Sequence, residues 1–171
     1  MVDLSLLQSV SYIAGALGVC IAAFYYVLNM RTTLQTRQAQ LFMQLFDRWT
    51  SSEFALNYGK ARYEICPKLN NSPEELSTFI YQNTNESFNP EVFLTFHQLT
   101  LFFEGVGVLV QKDLINIDLV ERLFSDRVIW FWGMMKPRIL FSREHQGPKL
   151  YSNFEWLYDE MVRRRGKPAA Q

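Results

Sequence analysis

The sequence predicts an all-α protein in which an N-terminal transmembrane helix continues into a small cytoplasmic helical bundle. Three observations support this prediction. Residues 4–30 form an apolar run without a charged side chain. The residues beyond it repeat apolar side chains every three or four positions, with helix-starting signals between the repeats. No segment alternates apolar and polar residues in the manner of a half-buried strand.

The apolar run at residues 4–30 has the length of one membrane crossing, since some 20 helical residues span a hydrocarbon core of about 30 Å. Arg31 and Arg37 follow it, whereas only Asp3 precedes it. Basic residues favour the cytoplasmic side, so we expect a short N-terminus outside and the body in the cytoplasm. A cleaved signal peptide would need a basic start, which is missing here. We therefore predict an uncleaved, single-pass anchor in the cytoplasmic (inner) cell membrane.

One face of this predicted anchor carries small residues. Small residues spaced by four allow helices to pack closely in lipid. This face predicts association of the anchor with a second copy or with another membrane protein. The residues are Ser11, Ala14, Gly15, Gly18 and Ala22.

The anchor helix is expected to continue without a break into the bundle. Residues 31–49 contain no Gly, no Pro and no turn cluster. Leu41, Leu45 and Trp49 recur on one face, as in a helix that packs against a core. The predicted division is an anchor at residues 1–30, a bundle at residues 31–165 and a flexible tail at residues 166–171.

Capping residues mark the starts of the helices that follow, because Ser and Asn side chains accept hydrogen bonds from the first free N–H groups of a helix. Residues 83–89 and 143–149 are predicted to be loops, and residues 151–165 the last helix. The predicted starts and ends are Ser51 or Ser52 with an end at Pro67, Ser72 with an end near Gln82, Asn89, Asn116, and Ser125 with a bend or end at Pro137.

Residues 92–110 are the most apolar part of the body and allow two interpretations. Their length and hydropathy fit a second membrane span. His97, Gln98 and Glu104 lie in the middle, however, and a central charge is costly in lipid. We expect a core helix, with the second span as the alternative.

Charge and motifs exclude several classes of function. Lys plus Arg and Asp plus Glu number 17 each, which leaves no basic face for nucleic acid. The sequence contains neither a P-loop nor a G-x-G-x-x-G, G-x-S-x-G or Ser-x-x-Lys motif. Cys20 and Cys66 are expected to be unpaired. We predict no catalytic residue, no cofactor and no metal ligand.

Three residues remain as candidates for a buried polar pair: His97, Glu104 and Arg138. Glu104 lies among apolar residues and would be costly to bury alone, so it should meet Arg127, Arg138 or a helix N-terminus. His97 lies about 10 Å from Glu104 along the same helix face. That separation is too long for a shared metal.

Four segments carry a resemblance to a known family: RQAQLFMQLFDRWTSSEF, LFFEGVGVLVQKDLINIDLVERLF, WFWGMMKPRI and YSNFEWLYDEM. They resemble an uncharacterised prokaryotic domain-of-unknown-function family of single-span membrane proteins with a cytoplasmic helical domain. The resemblance implies an anchor followed by a helical bundle. It implies no activity, ligand or catalytic residue.

The predicted function is that of a membrane-anchored helical interaction protein: a scaffold, an accessory subunit or a sensor. Its expected partners are the lipid bilayer and a second copy or another membrane protein. One alternative is an enzyme that acts on a lipid or membrane-adjacent substrate, with His97, Glu104 or Arg138 in a polar pocket. Another is a small channel or transporter component in which residues 92–110 form a second span.

Overall fold

The computed structural model describes residues 4–166 of the chain, and their regular structure is entirely helical. No strand occurs within this range, and the predicted all-α fold class is confirmed. Except for Gly166, the predicted tail at residues 166–171 lies outside the described residues.

Seven α-helices follow one another along the described part of the chain. Two π-helical segments, Lys60–Ile65 and Gln82–Glu86, lie after the second and fourth of them. The helices are α1 (Leu4–Thr50), α2 (Ser52–Gly59), α3 (Cys66–Lys68), α4 (Pro73–Tyr81), α5 (Pro90–Gln111), α6 (Ile117–Gln146) and α7 (Ser152–Arg165).

The chain divides into two units, Met1–Gln40 and Leu41–Gln171. Over its described residues, the first unit is the N-terminal part of α1. Within Val10–Thr50, an 18-residue window has a mean hydropathy of 1.8 and no buried residue. This helix is therefore long and apolar enough to cross a membrane once.

The second unit is a helical bundle around an aromatic core. In this bundle α5 packs against α7 and α2, and α6 packs against α4 and α7. Aromatic side chains bury large apolar areas and dominate the energetics of such cores. The largest buried side chains include Trp132, Phe54, Phe96, Phe103, Phe124, Phe131 and Phe154.

Trp49, in the last turn of α1, packs into this core. Its ring centroid lies 5.1 Å from that of Tyr58, 5.2 Å from that of Phe54 and 5.2 Å from that of Phe124. Such pairs contribute about 0.5–1.5 kcal/mol beyond their buried area. Leu41 and Leu45 are half-buried against the same core, as the predicted apolar stripe requires.

Four of the predicted helix starts are confirmed by side-chain caps. In each case the cap oxygen accepts a hydrogen bond from a backbone N–H in the first turn. The bonds are Phe54 N to Ser51 Oγ at 3.4 Å, Glu75 N to Ser72 Oγ at 3.2 Å, Glu91 N to Asn89 Oδ1 at 3.1 Å and Asp118 N to Asn116 Oδ1 at 2.7 Å.

Two predicted breaks in the first half of the bundle were wrong. The helix does not end before Pro67 but runs to Lys68. A π-helical turn, Lys60–Ile65, lies just before the proline. In this turn the N–H of Cys66 bonds the carbonyl of Ala61, five residues back. Such a turn shifts the hydrogen-bond register where proline lacks an N–H. The predicted loop at residues 83–89 is helical as far as Glu86.

The predicted division of α6 was also wrong, because α6 is one helix of 30 residues. Ser125 starts no new helix, since Phe124, Val128 and Phe131 continue a single buried face across it. Pro137 interrupts one backbone hydrogen bond, but Met135 and Ile139 beside it are buried in the core. The helix continues to Gln146, and the predicted loop at 143–149 is shorter than expected.

Helix α5 belongs to the bundle core, and half of its apolar window is buried. Gly107 lies against the start of α7: a Cβ at this position would be 2.2 Å from the carbonyl oxygen of Asn153. Only glycine permits this approach without movement of the backbone. Gly105 faces open space instead.

Candidate functional site

The bundle contains a cavity of about 320 Å³ between α4, α5, α6 and the segment that precedes α7. Its apolar wall includes Phe93, Phe96, Met135 and Ile139. Its polar wall carries hydroxyl, amide, imidazole and guanidinium groups, and none of the lining residues is Asp or Glu. The polar side chains are those of Thr84, Asn85, His97, Thr100, Arg138, Ser142, Gln146 and Tyr151.

Arg138 is the positive charge of this cavity. Its Nη2 donates to Asn85 Oδ1 at 3.3 Å and to Thr84 Oγ1 at 3.5 Å, both uncharged and both long. The guanidinium also lies 5.7 Å from the ring centroid of Tyr81 and 5.5 Å from that of Phe141. No carboxylate within residues 4–166 lies within 4.0 Å of it. Burial lowers the pKa of Arg138, but an arginine remains charged at neutral pH.

His97 forms part of the same wall, and its ring stacks on Phe93 with centroids 4.8 Å apart and planes at 17°. The stack fixes the orientation of the ring. Over the described range no hydrogen bond reaches either ring nitrogen. These nitrogens therefore remain available to a molecule in the cavity.

Tyr151 lines the cavity from the residue that precedes α7, where its backbone has a φ of 55°. This left-handed conformation is unusual for a bulky residue and costs about 1–3 kcal/mol. Burial, together with the negative charge of Glu104, raises the pKa of the Tyr151 phenol. The phenol is therefore protonated at neutral pH and can donate a hydrogen bond.

Glu104 lies outside the cavity wall and bonds the start of α7. Its Oε2 accepts from Phe154 N at 2.7 Å, and its Oε1 accepts from Asn153 Nδ2 at 2.5 Å. A carboxylate at a helix N-terminus satisfies free N–H groups and interacts favourably with the helix dipole. The sequence suggested three donors for Glu104, namely Arg127, Arg138 or a helix N-terminus. The structure shows that Glu104 bonds a helix N-terminus.

The threonine and serine hydroxyl groups of the cavity are already bonded to backbone carbonyls one turn back. Thr84 Oγ1 donates to Ile80 O at 2.7 Å, and Ser142 Oγ donates to Arg138 O at 2.9 Å. Neither is held against His97, as a nucleophile and its base would be. No group of three His, Cys, Asp or Glu side chains in the described part of the chain is arranged for a metal ion.

The structure brings two of the three predicted polar residues to one cavity. His97 and Arg138 both line it, whereas Glu104 does not. Tyr151 and Asn85 were missed by the sequence analysis. Arg138 was suggested by the sequence as a donor for Glu104, and no local pattern marked the residues that surround it in the cavity.

The small-residue face of α1 lies in the other unit and is exposed throughout its described side chains. A Cβ added to Gly15 or to Gly18 would meet no atom within 4 Å. Nothing inside this unit therefore requires glycine at either position.

These features define an all-helical protein with a long apolar N-terminal helix and a helical bundle. Within that class, the chain belongs to the family described as Domain of unknown function (DUF4760), which matches residues 12–161. No curated protein and no solved structure matches the chain.

Proposed function

We propose that this protein is a non-enzymatic, single-pass membrane protein that works by association, as a scaffold, accessory subunit or sensor. The observation that carries the proposal is the exposure of large apolar side chains all around the first half of α1. Ile13, Ile21, Tyr25 and Val19 lie at different angles around the helix axis, and each is between 62% and 71% exposed. A contiguous apolar surface of this extent is typical of a membrane or interaction segment.

The family match supports an anchor that is retained. It begins at residue 12, within the apolar run, and continues into the bundle. A signal sequence that is removed would not form one domain with the bundle. Intact mass measurement of protein extracted from carbonate-washed membranes should find residues 12–30 still attached. A membrane-free mature chain that lacks them would contradict the anchor.

Arg31 and Arg37 support an orientation with the bundle in the cytoplasm of the cell that makes the protein. Protease added to inverted vesicles of the cytoplasmic membrane should digest the bundle, whereas protease added to intact spheroplasts should leave it whole. The opposite pattern would refute the orientation. The burial of half of the α5 window favours one span over two.

The small-residue face supports association within the membrane. Gly18 has space for a close neighbour and no partner inside its own unit. A Gly18→Leu variant should separate two helices that pack through this face. Ala16→Leu is the matched control, because residues two apart lie about 200° apart around the helix axis.

Association is measured by energy transfer between copies that carry donor and acceptor fluorescent proteins after Gln171, in the same membranes. We expect transfer in the wild type, a fall to the level of an unrelated single-span protein in Gly18→Leu, and no change in Ala16→Leu. Wild-type transfer at the level of the unrelated protein would refute self-association. If energy transfer were equal in the two variants, association through the small-residue face would be refuted.

A further inference from the structure

We propose that the cavity beside Arg138 binds a small organic anion, with an oxyanion group against the guanidinium and an apolar body against Phe93, Phe96 and Met135. The oxyanion is a carboxylate or a phosphate monoester. This site goes beyond association and does not depend on it, since every residue of the cavity lies in the bundle.

The charge of the cavity selects for an anion. Arg138 supplies a fixed positive charge, and no acidic residue lines the cavity. The two hydrogen bonds of its Nη2 end on the neutral acceptors Thr84 and Asn85. A guanidinium has five N–H donors in a planar fork that matches a carboxylate or phosphate. The described contacts leave most of these donors without a protein acceptor.

The other polar groups fit the same ligand class. The phenol of Tyr151 and the imidazole of His97 can both donate to an oxyanion, and both lie in the wall of the cavity. The left-handed backbone of Tyr151 carries strain of the kind found at ligand-binding positions. The structure holds this side chain in the cavity wall in spite of that cost.

The size and the apolar wall fix the rest of the ligand. A volume of about 320 Å³ is at the lower end of the range for small-molecule sites. Aromatic and aliphatic side chains line the cavity together with the polar groups. An aromatic or short aliphatic acid therefore fits better than a free inorganic ion.

The probes for this proposal are benzoate, phenyl phosphate and benzamide, which has the shape of benzoate without its charge. Calorimetric titration of the full chain in phosphatidylcholine nanodiscs, with empty nanodiscs subtracted, measures the binding. We expect one benzoate or phenyl phosphate per chain and binding of benzamide weaker by about tenfold or more. Equal affinity for benzoate and benzamide would overturn the proposal.

Three variants locate the site. Arg138→Gln removes the charge, and Asn85→Asp keeps it but places a carboxylate where Nη2 already bonds Asn85 Oδ1 at 3.3 Å. Both should lose about tenfold or more in benzoate affinity. Lys136→Gln, an exposed charge change on the same helix, should bind as the wild type does.

Asn85 is exposed, so Asn85→Asp should fold even if Arg138→Gln does not. Wild-type benzoate affinity in Asn85→Asp would refute the proposal by itself. If inorganic phosphate bound as tightly as phenyl phosphate, the proposed contact between an apolar ligand body and the apolar cavity wall would be refuted. Loss of benzoate binding in nanodiscs that contain phosphatidic acid, whose headgroup is a phosphate monoester, would support the site with a lipid headgroup as its ligand, and unchanged binding would support a soluble one.

Discussion

The contact between Gly107 and the start of α7 predicts opposite effects for two alanine substitutions on one helix. In Gly107→Ala the new Cβ would lie 2.2 Å from Asn153 O and 2.7 Å from Asn153 C. Both are backbone atoms, so the start of α7 must move. In Gly105→Ala the new Cβ meets nothing within 4 Å.

The size of the effect follows from three contributions. Overpacking costs about 1–3 kcal/mol. Movement of Asn153 strains or breaks the Glu104 bonds to Asn153 and Phe154, and a hydrogen bond to a charged group contributes about 1.5–3 kcal/mol. Alanine gains about 0.5–1 kcal/mol over glycine in a helix. We expect Gly107→Ala to lose about 1.5–5.5 kcal/mol in total and Gly105→Ala to gain about 0.5–1 kcal/mol.

Urea unfolding of the full chain in nanodiscs, followed by tryptophan fluorescence, measures both variants. The four tryptophans are Trp49, Trp130, Trp132 and Trp156, and all lie in the bundle unit, so the signal reports its unfolding. If Gly107→Ala were as stable as Gly105→Ala, the close approach of α5 to α7 would be refuted.

Three further predictions concern ionisable groups of the bundle. Glu104→Gln should lower the free energy of unfolding by about 1–2 kcal/mol; an unchanged urea midpoint would contradict its role at α7. Hydrogen bonds from Arg163 and, to a smaller extent, from Arg164 lower the pKa of Glu160, while burial opposes them. The ionised Glu160 therefore stabilises the fold above the usual glutamate pKa. This stabilisation is lost as pH falls through the lowered pKa. Urea midpoints between pH 7 and pH 3 should therefore fall less in Arg164→Met than in the wild type. Burial raises the pKa of the Cys66 thiol to about 11. In a chain whose other cysteine, Cys20, is replaced by serine, iodoacetamide at pH 8 should therefore label Cys66 only after unfolding. Rapid labelling of the folded chain would refute the burial of Cys66.

The starts of the helices could be predicted because capping is local. Ser51, Ser72, Asn89 and Asn116 each bond an N–H two or three residues further on, so the sequence holds both the cap and the helix that it starts. The continuous first helix was predicted for a similar reason, since residues 31–49 contain no residue that breaks a helix.

The interior of α6 could not be predicted because tertiary packing decides it. Ser125 is a strong local start signal and Pro137 a strong local break. Phe124 and Val128, on either side of Ser125, and Ile139, beyond the proline, are nevertheless buried along one face. Burial of such side chains contributes about 1.5–3 kcal/mol each. That sum exceeds the cost of one proline, and the helix continues.

The cavity could not be predicted from the sequence for a different reason. Arg138 meets Thr84 and Asn85 across 54 and 53 positions of the chain, and no periodicity relates residues at such separations. The sequence showed which residues were costly to bury. Packing decided that Glu104 joins a helix N-terminus while Arg138 faces a cavity.

The start of α7 links the stability of the bundle to the shape of its cavity. Glu104 bonds Asn153 and Phe154, and Gly107 packs on Asn153. Tyr151, two residues earlier, has a left-handed backbone that costs about 1–3 kcal/mol. Because the bonds to Glu104 hold Asn153 and Phe154, two and three residues after Tyr151, they oppose relaxation of this strain. The acidic residue that the sequence marked as costly to bury thus supports the cavity wall without belonging to it.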